Sequence, residues 1–363
     1  MKVKVDKTEL REAIGKINKI IRKDTPLVSS KLICLDVQSN QIFLSGVQPA
    51  ISMRTSIKDV VMDASFSCLF DGNMVMALLA KVTSKDVILS FDEQKETLQI
   101  KDETHMSVKL RCEDCSQFPG FKELESPDFE KRTDVLFPYV AACKHVLPTK
   151  YTNRIMSSFC VQYGDGNWRI TATNGSCVSS RGAISCVENT VLVPGDIMTT
   201  LEGIFQNCNV TLSIKEKDIW IRDEKTEVFL KTVSGNFFNL DSVVNAPSKF
   251  KATINRANLE NALSLASVSL LNEQQKLGTF LFGKEGLEIS TSDRLGNEMK
   301  NNISYTGYVD SPLLLGVNVK YILDAVKSIP DDVISLELIS ELHPIKISGE
   351  NYLEIVLPVK LRA

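Results

Sequence analysis

The sequence predicts an α+β protein of three similar domains, each made of two helices on antiparallel sheets. Three observations predict it. First, alternating strand-like runs recur at a fixed interval: VILSF from Val87, VTLSI from Val210 and VISLE from Val333 are spaced 123 residues apart, a period long enough for one domain each. Second, each run is followed by another, LQIKD from Leu98, IWIRD from Ile219 and IKISG from Ile345, with polar or turn-forming residues between them, as in a hairpin. Third, helix candidates begin near Lys7, Gly72, Phe137, Gly195, Asn255 and Asn318, at intervals of 58 to 65 residues, so each long period holds two of them.

The first helix, DKTELREAIGKINKIIRK over 6–23, carries Leu10, Ala13, Ile14, Ile17 and Ile21 on one face, the i, i+3, i+4, i+7 stripe of a helix packed on a sheet. Its other face holds Lys7, Arg11, Lys16, Lys19, Arg22 and Lys23. The second, in LFDGNMVMALLAKV (69–82), follows a turn at Asp71–Gly72, with Asn73 as the expected N-cap. The front halves of the repeats share NQIFLSG, NWRITAT and GLEISTS, each a strand after a short turn. Two polar junctions with Pro and Gly, CSQFPGFKELESPDFEKR and GNFFNLDSVVNAPSKF, precede the next repeat. They place the domains at 1–128, 129–248 and 249–363.

Hydrophobic residues make up 43% and charged residues 24% of the 363, an ordinary globular balance. No apolar run approaches the roughly 18 residues of a membrane helix, and MKVKVDKTEL alternates like a strand rather than a signal peptide; a cytoplasmic protein with no membrane partner is expected. The nine cysteines then read as reduced and mostly buried. CEDC (112–115) has redox or zinc spacing but lacks a second Cys pair or paired His at the spacing of a structural site; Cys143 and His145 fall in a helix candidate. The remaining histidines are His105 and His343. YGDGNW (163–168) is a hairpin turn rather than a dinucleotide fingerprint. No phosphate loop, G-x-S-x-G or H-E-x-x-H is present. The expected protein is not an enzyme, and no metal or other cofactor is expected.

The helix candidates together are net positive, although the chain as a whole is at −3. Solvated lysine-rich helix faces would give this pattern; so would helices gathered on a surface that faces a polyanion.

TATNG (171–175), GVNVKYILDAV (316–326), the tail IVLPVKL (355–361) and QFPGF (117–121), in this order and with the 123-residue period, resemble the bacterial sliding clamp family, the beta subunits of DNA polymerase III. The resemblance covers the whole chain and is that of a divergent member. It implies three clamp domains per chain and a head-to-tail homodimer closing as a ring, with helices lining a hole for duplex DNA. Such a ring is a processivity factor: it slides without reading sequence and tethers DNA polymerase, and a clamp loader places it on nucleoid DNA. Weak lysine and arginine contacts to phosphate suffice for that. A repeat-built scaffold that never encircles DNA is the competing reading.

By position, the resemblance implies DNA contacts at Arg22 and Lys23 at the end of the first helix and at Lys150, Tyr151 and Arg154 in TKYTNR, with Lys16, Lys19 and Lys81 in support. A partner-peptide cleft is implied at Met156, Thr173, Gly175, Ser176, Val178, Phe238, Val243, Asn318, Tyr321, Leu342, Pro344 and the tail Val356, Leu357, Pro358, Val359, Lys360 and Leu361. A dimer seam is implied at Val108, Leu110, Leu270 and Leu271. From the residues alone, core packing would explain most of the cleft and seam positions. The chain departs from the family pattern at Gly195 and Asp196 (usually basic), Ser176 (commonly His), Phe238 (usually Pro), Ser242 (commonly Arg), and in running on through Arg362 and Ala363. These changes predict a working cleft with altered peptide preference, and Asp196 weakens the case for DNA contact by the middle repeat.

Overall fold

The six expected helices begin within one residue of their expected starts. In the computed structural model, which describes residues 1–102, 106–150, 153–183, 189–206, 208–307 and 311–361, they are α1 (Lys7–Asn18), α2 (Gly72–Leu79), α3 (Leu136–Cys143), α4 (Gly195–Glu202), α6 (Arg256–Ser269) and α7 (Val319–Ser328). A four-residue helix, α5 (Asp241–Val244), was not anticipated and interrupts the second junction. Side-chain caps fix several starts. Asp6 accepts from the Thr8 and Glu9 amides, and Asn318 from those of Lys320 and Tyr321, each satisfying donors that a helix start leaves open. The cap of α2 is Asp71, which accepts from the Asn73 and Met74 amides; Asn73 lies inside the helix instead, because the Asp71 carboxylate is placed one residue before the first helical position.

Helix α1 stops at Asn18, short of the expected 23. Ile17, Ile20 and Ile21 converge on Gly46, where a Cβ would come within 2.7 Å of Ile17, and the backbone tightens through Lys19 N–H to Lys16 C=O and Ile20 N–H to Ile17 C=O. Burying Ile20 in this way turns the chain off the helix axis. Arg22 and Lys23 therefore lie in the connection beyond the helix, not at its end.

Two compact units emerge: Met1–Phe137 with Thr200–Thr232, and Pro138–Thr199 with Val233–Ala363. The first has a five-stranded sheet in the order Val61–Met62, Lys2–Asp6, Asp86–Asp92, Thr97–Lys101 and Ser107–Arg111. Its second sheet has eight strands: Phe129–Thr133, Val210–Lys215, Asp218–Arg222, Thr226–Lys231, Ile51–Ile57, Gln41–Gln48, Ile33–Gln38 and Phe66–Phe70. Leu10, Ala13, Ile14 and Ile17 of α1 form its buried face. The junction after the first repeat crosses this sheet, with Arg54 4.7 Å over the Phe121 ring and the Trp220 indole N–H donating to the Lys122 carbonyl at 3.0 Å.

The second unit repeats the plan. Its eight-stranded sheet runs Asn189–Pro194, Ser158–Gly164, Asn167–Thr173, Cys177–Gly182, Tyr352–Val356, Ile345–Ser348, Val333–Leu338 and Phe250–Asn255. A four-stranded sheet runs Glu298–Ile303, Gly286–Ser292, Leu277–Gly283 and Leu313–Asn318. Every strand pair in both units is antiparallel, including the three hairpins read from the 123-residue period. The YGDGNW turn has Asp165 at φ 46° and Gly166 at φ 73°, the doubly positive geometry of a tight hairpin turn. Among the described residues no helix is long and apolar enough to cross a membrane.

Each eight-stranded sheet joins strands of two repeats through one pair, and the two pairs share a register. Ile51 opposes Leu230 in the first unit, and Cys177 opposes Val356 in the second, both partners shifted by 126 residues. The chemistry at one shared position differs. Met53 faces Val228 in the first unit; Ser179 faces Glu354 in the second. Glu354 is 1% exposed and meets Arg181, 4% exposed, at 2.7 Å. Its Oε1 also accepts from Ser179 at 2.7 Å and Ser328 at 3.0 Å. The Arg181 guanidinium donates further to the carbonyls of Ser180 and Ser328. A buried ion pair is safe only when its remaining hydrogen-bonding capacity is met, as here; removing one partner strands the other charge. Arg181→Met is expected to lower unfolding free energy by about 3–5 kcal/mol in urea titrations, with Arg181→Met/Glu354→Gln recovering much of the loss. A loss below about 0.5 kcal/mol, typical of a surface change, would contradict this reading.

Candidate nucleic-acid and peptide interfaces

The expected basic residues differ in how far they are already engaged. Lys16 reaches Asp223 at 3.6 Å and donates to the Thr226 hydroxyl at 3.0 Å, with its ammonium 5.8 Å from the Phe205 ring. It pins α1 to the turn before the strand Thr226–Lys231. Lys19 is exposed and donates to the Gly203 carbonyl at 2.8 Å. Arg22, Lys23 and Lys81 are exposed in the same unit. Lys150 and Arg154 are exposed in the second unit; Tyr151, between them, lies outside the described residues. Near Arg154 the backbone is held by the Ser158 hydroxyl, which donates to its carbonyl at 2.6 Å, and by Asn153, which accepts from the Ile155 and Met156 amides.

Asp196 sits exposed in the first turn of α4. A carboxylate there complements the positive end of the helix. Gly195 before it has no room for a side chain: a Cβ would lie 2.7 Å from the Ser157 carbonyl oxygen and 2.9 Å from Leu147. The departure at 195–196 thus has a local structural account.

All the expected cleft residues fall in the second unit. Several of them are linked, starting at the TATNG turn. Thr173, buried, donates to the Cys177 carbonyl at 2.6 Å and accepts from the Gly175 amide; Asn174 accepts from the Ser176 and Cys177 amides. Gly175 takes φ 86°, and a Cβ on it would meet the Met156 methyl at 3.1 Å. The Ser176 carbonyl receives the Leu357 amide at 2.8 Å, which brings in the tail. Val178 packs with Leu353 and Ile355, and Leu240, Val243 and Val244 around α5 close over them. Val243, Ser242 and Pro344 share a small cleft with Ile339 and Lys346. Beyond Pro358, the Val359 amide donates to the carbonyl of Gly316 at 2.8 Å, its partner in an isolated bridge, two residues before Asn318, which caps the helix bearing Tyr321.

Exposure separates core from surface in this set. Thr173, Val178 and Val356 are buried, whereas Leu342 is 65% exposed and Phe238, Leu357 and Leu361 each about 40%. Exposed apolar side chains are ordinary when they stand singly on a surface. The remaining positions, Met156, Ser176, Val243, Asn318, Tyr321, Pro344, Pro358 and Val359, are half-buried, and Gly175 and Lys360 are exposed.

The expected seam residues also divide. Leu110 is buried and Val108 half-buried on Ser107–Arg111, which ends its sheet. Leu270 is 1% exposed and belongs to the core, while Leu271 is 70% exposed. Sequence reasoning passed over Leu265 and Val268, exposed on α6 ahead of Leu271, which lies beyond the helix's last residue, Ser269. The i, i+3, i+6 spacing was the available signal, hidden because α6 also carries a second apolar face at Leu259, Ala262, Leu263 and Ala266. Sequence reasoning also missed a groove of about 610 Å³ in the first unit, lined by Thr25, Pro26, Val47, Pro49, Gly120 and Lys231 among others. It occupies, on the first eight-stranded sheet, the turn and post-strand positions that the TATNG turn and the tail occupy on the second.

Comparison with known proteins bears on what these surfaces serve. A family model described as the DNA polymerase III beta subunit, N-terminal domain, matches residues 1–121, and one described as the C-terminal domain of the same subunit matches 242–358. Curated relatives named "Beta sliding clamp" include one from Staphylococcus aureus, 24% identical, with 97% of this chain and 96% of the relative covered. Another, from Staphylococcus epidermidis, is 20% identical over 96% and 97%. Among solved structures, a DNA polymerase sliding clamp from Bacillus subtilis superposes with a TM-score of 0.91 at 19% identity, covering 100% of both chains. A putative DNA polymerase III beta subunit from Eubacterium rectale gives 0.91 at 18%, covering 99% of this chain and 100% of that one.

The tail's seat on Gly316 is open to test. A Cβ there would collide with the Val359 carbonyl oxygen and come within 3.1 Å of Leu361 Cγ. Gly316→Ala is expected to detach residues 357–361, seen as lost hydrogen-exchange protection at the Val359 amide. Unchanged protection would show that the tail is held by other contacts.

Proposed function

The chain belongs to the DNA polymerase III beta subunit family, and on that premise we propose that it is a DNA polymerase processivity factor, working as a head-to-tail homodimeric ring around duplex DNA. The observation that carries this reading is the pairing of strands across the boundaries of repeats spaced 123 residues apart in the sequence. Three clamp domains, 1–128, 129–248 and 249–363, account for the repeats. The likeness in fold to solved clamps extends over the whole chain.

Lys19, Arg22, Lys23, Lys81, Lys150, Tyr151 and Arg154 supply the phosphate contacts in this proposal. Lys16 plays a positioning part, since Asp223 and Thr226 already hold it. Contacts of this kind are sequence-independent and weaken with salt, because each neutralised phosphate releases counterions. That suits a ring retained by topology. Closure uses the Ser107–Arg111 edge with Val108 and Leu110, and on the other side Leu265, Val268 and Leu271. Leu270 supports them from the core. The cleft around the TATNG turn, α5, the start of α7 and the tail takes short peptides of polymerase and clamp loader, with apolar walls and a few polar anchors. Ser176, Phe238 and Ser242 shift its preference.

Loaded by a clamp loader onto nicked circular DNA, the protein is expected to stay bound and to leave when the circle is cut. Retention on linear DNA with open ends would contradict a sliding ring. Leu361→Asp is expected to weaken binding of a polymerase tail peptide by about tenfold or more in a titration, while unaltered affinity would remove the tail from the cleft. Light scattering at micromolar concentration should give a dimer that Leu271→Asp dissociates; a wild-type monomer would count against closure.

A further inference from the structure

The CEDC segment, which the clamp reading leaves unused, brings four cysteines of the first unit into two facing pairs. The Cys34 and Cys115 sulfurs are 3.8 Å apart, and Cys68 and Cys112 shift each other's ionisation in opposite directions, Cys68 upward and Cys112 downward. Strand register keeps the pairs apart. Cys34 opposes Leu69, and Cys68 opposes Leu35, so Cys34 and Cys68 leave opposite faces of the sheet. Between Cys112 and Cys115, Glu113 exchanges both backbone hydrogen bonds with Leu69 at 2.9 and 3.0 Å. That bridge directs one cysteine of the segment to each face. Among the described residues no three Cys, His, Asp or Glu gather as a group that could hold a metal ion. Cys68 and Cys112 are buried; Cys34 and Cys115 are only half-buried.

We propose that Cys34 and Cys115 are a redox modification site, oxidised to an intramolecular disulfide by low-molecular-weight disulfides of the glutathione class. The Cys115 thiolate attacks one sulfur of the oxidised glutathione, forming a mixed disulfide and expelling one glutathione thiolate. Cys34 then attacks the Cys115 sulfur and expels the second. The dithiol loses two electrons, the glutathione disulfide gains them, and the two cysteine protons end on the two released thiols. Cys115 is the attacking group: its thiol is held below the ordinary range chiefly by the Cys34 hydrogen bond, with Ser67 adding another. The product would tie the strand Ile33–Gln38 to the turn Cys115–Gln117, which leads out of the first repeat.

The full chain, equilibrated at pH 8 with graded ratios of oxidised to reduced glutathione, then alkylated, digested and weighed, tests this. The expected product is two hydrogens lighter, with the Cys34 peptide linked to the Cys115 peptide and released by dithiothreitol. Cys208, half-buried with its sulfur on the Gln206 carbonyl, serves as the single-thiol reference and should take up one glutathione. Cys34→Ser should trap Cys115 as a stable glutathione adduct in a chain whose circular dichroism is unchanged; the mapping of the wild-type chain stands without that variant. A Cys112–Cys115 linkage, a persistent glutathione adduct on wild-type Cys115, or free Cys34 and Cys115 when Cys208 is modified would each overturn the proposal.

Discussion

Strand pairing across repeat boundaries is the constraint on which the rest of the structure depends. An isolated repeat would end in open strand edges, and open edges recruit other chains. Here Ile51–Ile57 pairs with Thr226–Lys231, and Cys177–Gly182 with Tyr352–Val356. Each pair converts two smaller sheets into one of eight strands. The second pair positions the candidate peptide cleft. Val178 and Ile355, opposite each other in its register, form the floor under α5, and the residue after its last strand, Leu357, donates to Ser176.

Electrostatics follow the same division between structure and surface. Lys16 and Arg181 are both basic, yet each is committed within its unit, one to Asp223 and Thr226, the other to Glu354. Lys150 and Arg154 stand exposed instead, near a loop fixed by Asn153 and Ser158. A net charge of −3 therefore says little about what such a chain meets. The distribution of exposed cations decides that.

Much of the fold was legible in the sequence, because its strongest signals are periodic. The strands at Val87, Val210 and Val333, their hairpin partners and the six helix starts all reflect alternation or amphipathic spacing that burial enforces. The misses share a cause too. Helix α5 is one turn long, and its apolar residues Val243 and Val244, with Leu240 just before it, pack against strands from elsewhere in the chain. The early end of α1 is set by Gly46 on a neighbouring strand, and the partnership of Cys34 with Cys115 spans 81 residues. Contacts of that range leave no local trace. The candidate cleft residues were named through resemblance; composition alone would have assigned Leu342 and Leu361 to the core, where neither lies.

The contrast between Met53–Val228 and Ser179–Glu354 has a consequence for how the chain finds its own partners. Two joining pairs of equal register, in one polypeptide, could exchange strands during folding, a characteristic failure of repeat proteins. If Tyr352–Val356 docked on Ile51–Ile57 in that register, the Glu354 carboxylate would face Met53 with no guanidinium beside it, at a cost of several kcal/mol. The reverse exchange would leave Arg181 facing Thr226, without the Glu354 carboxylate. The buried charge thus works as an address, telling otherwise interchangeable strands which sheet is theirs.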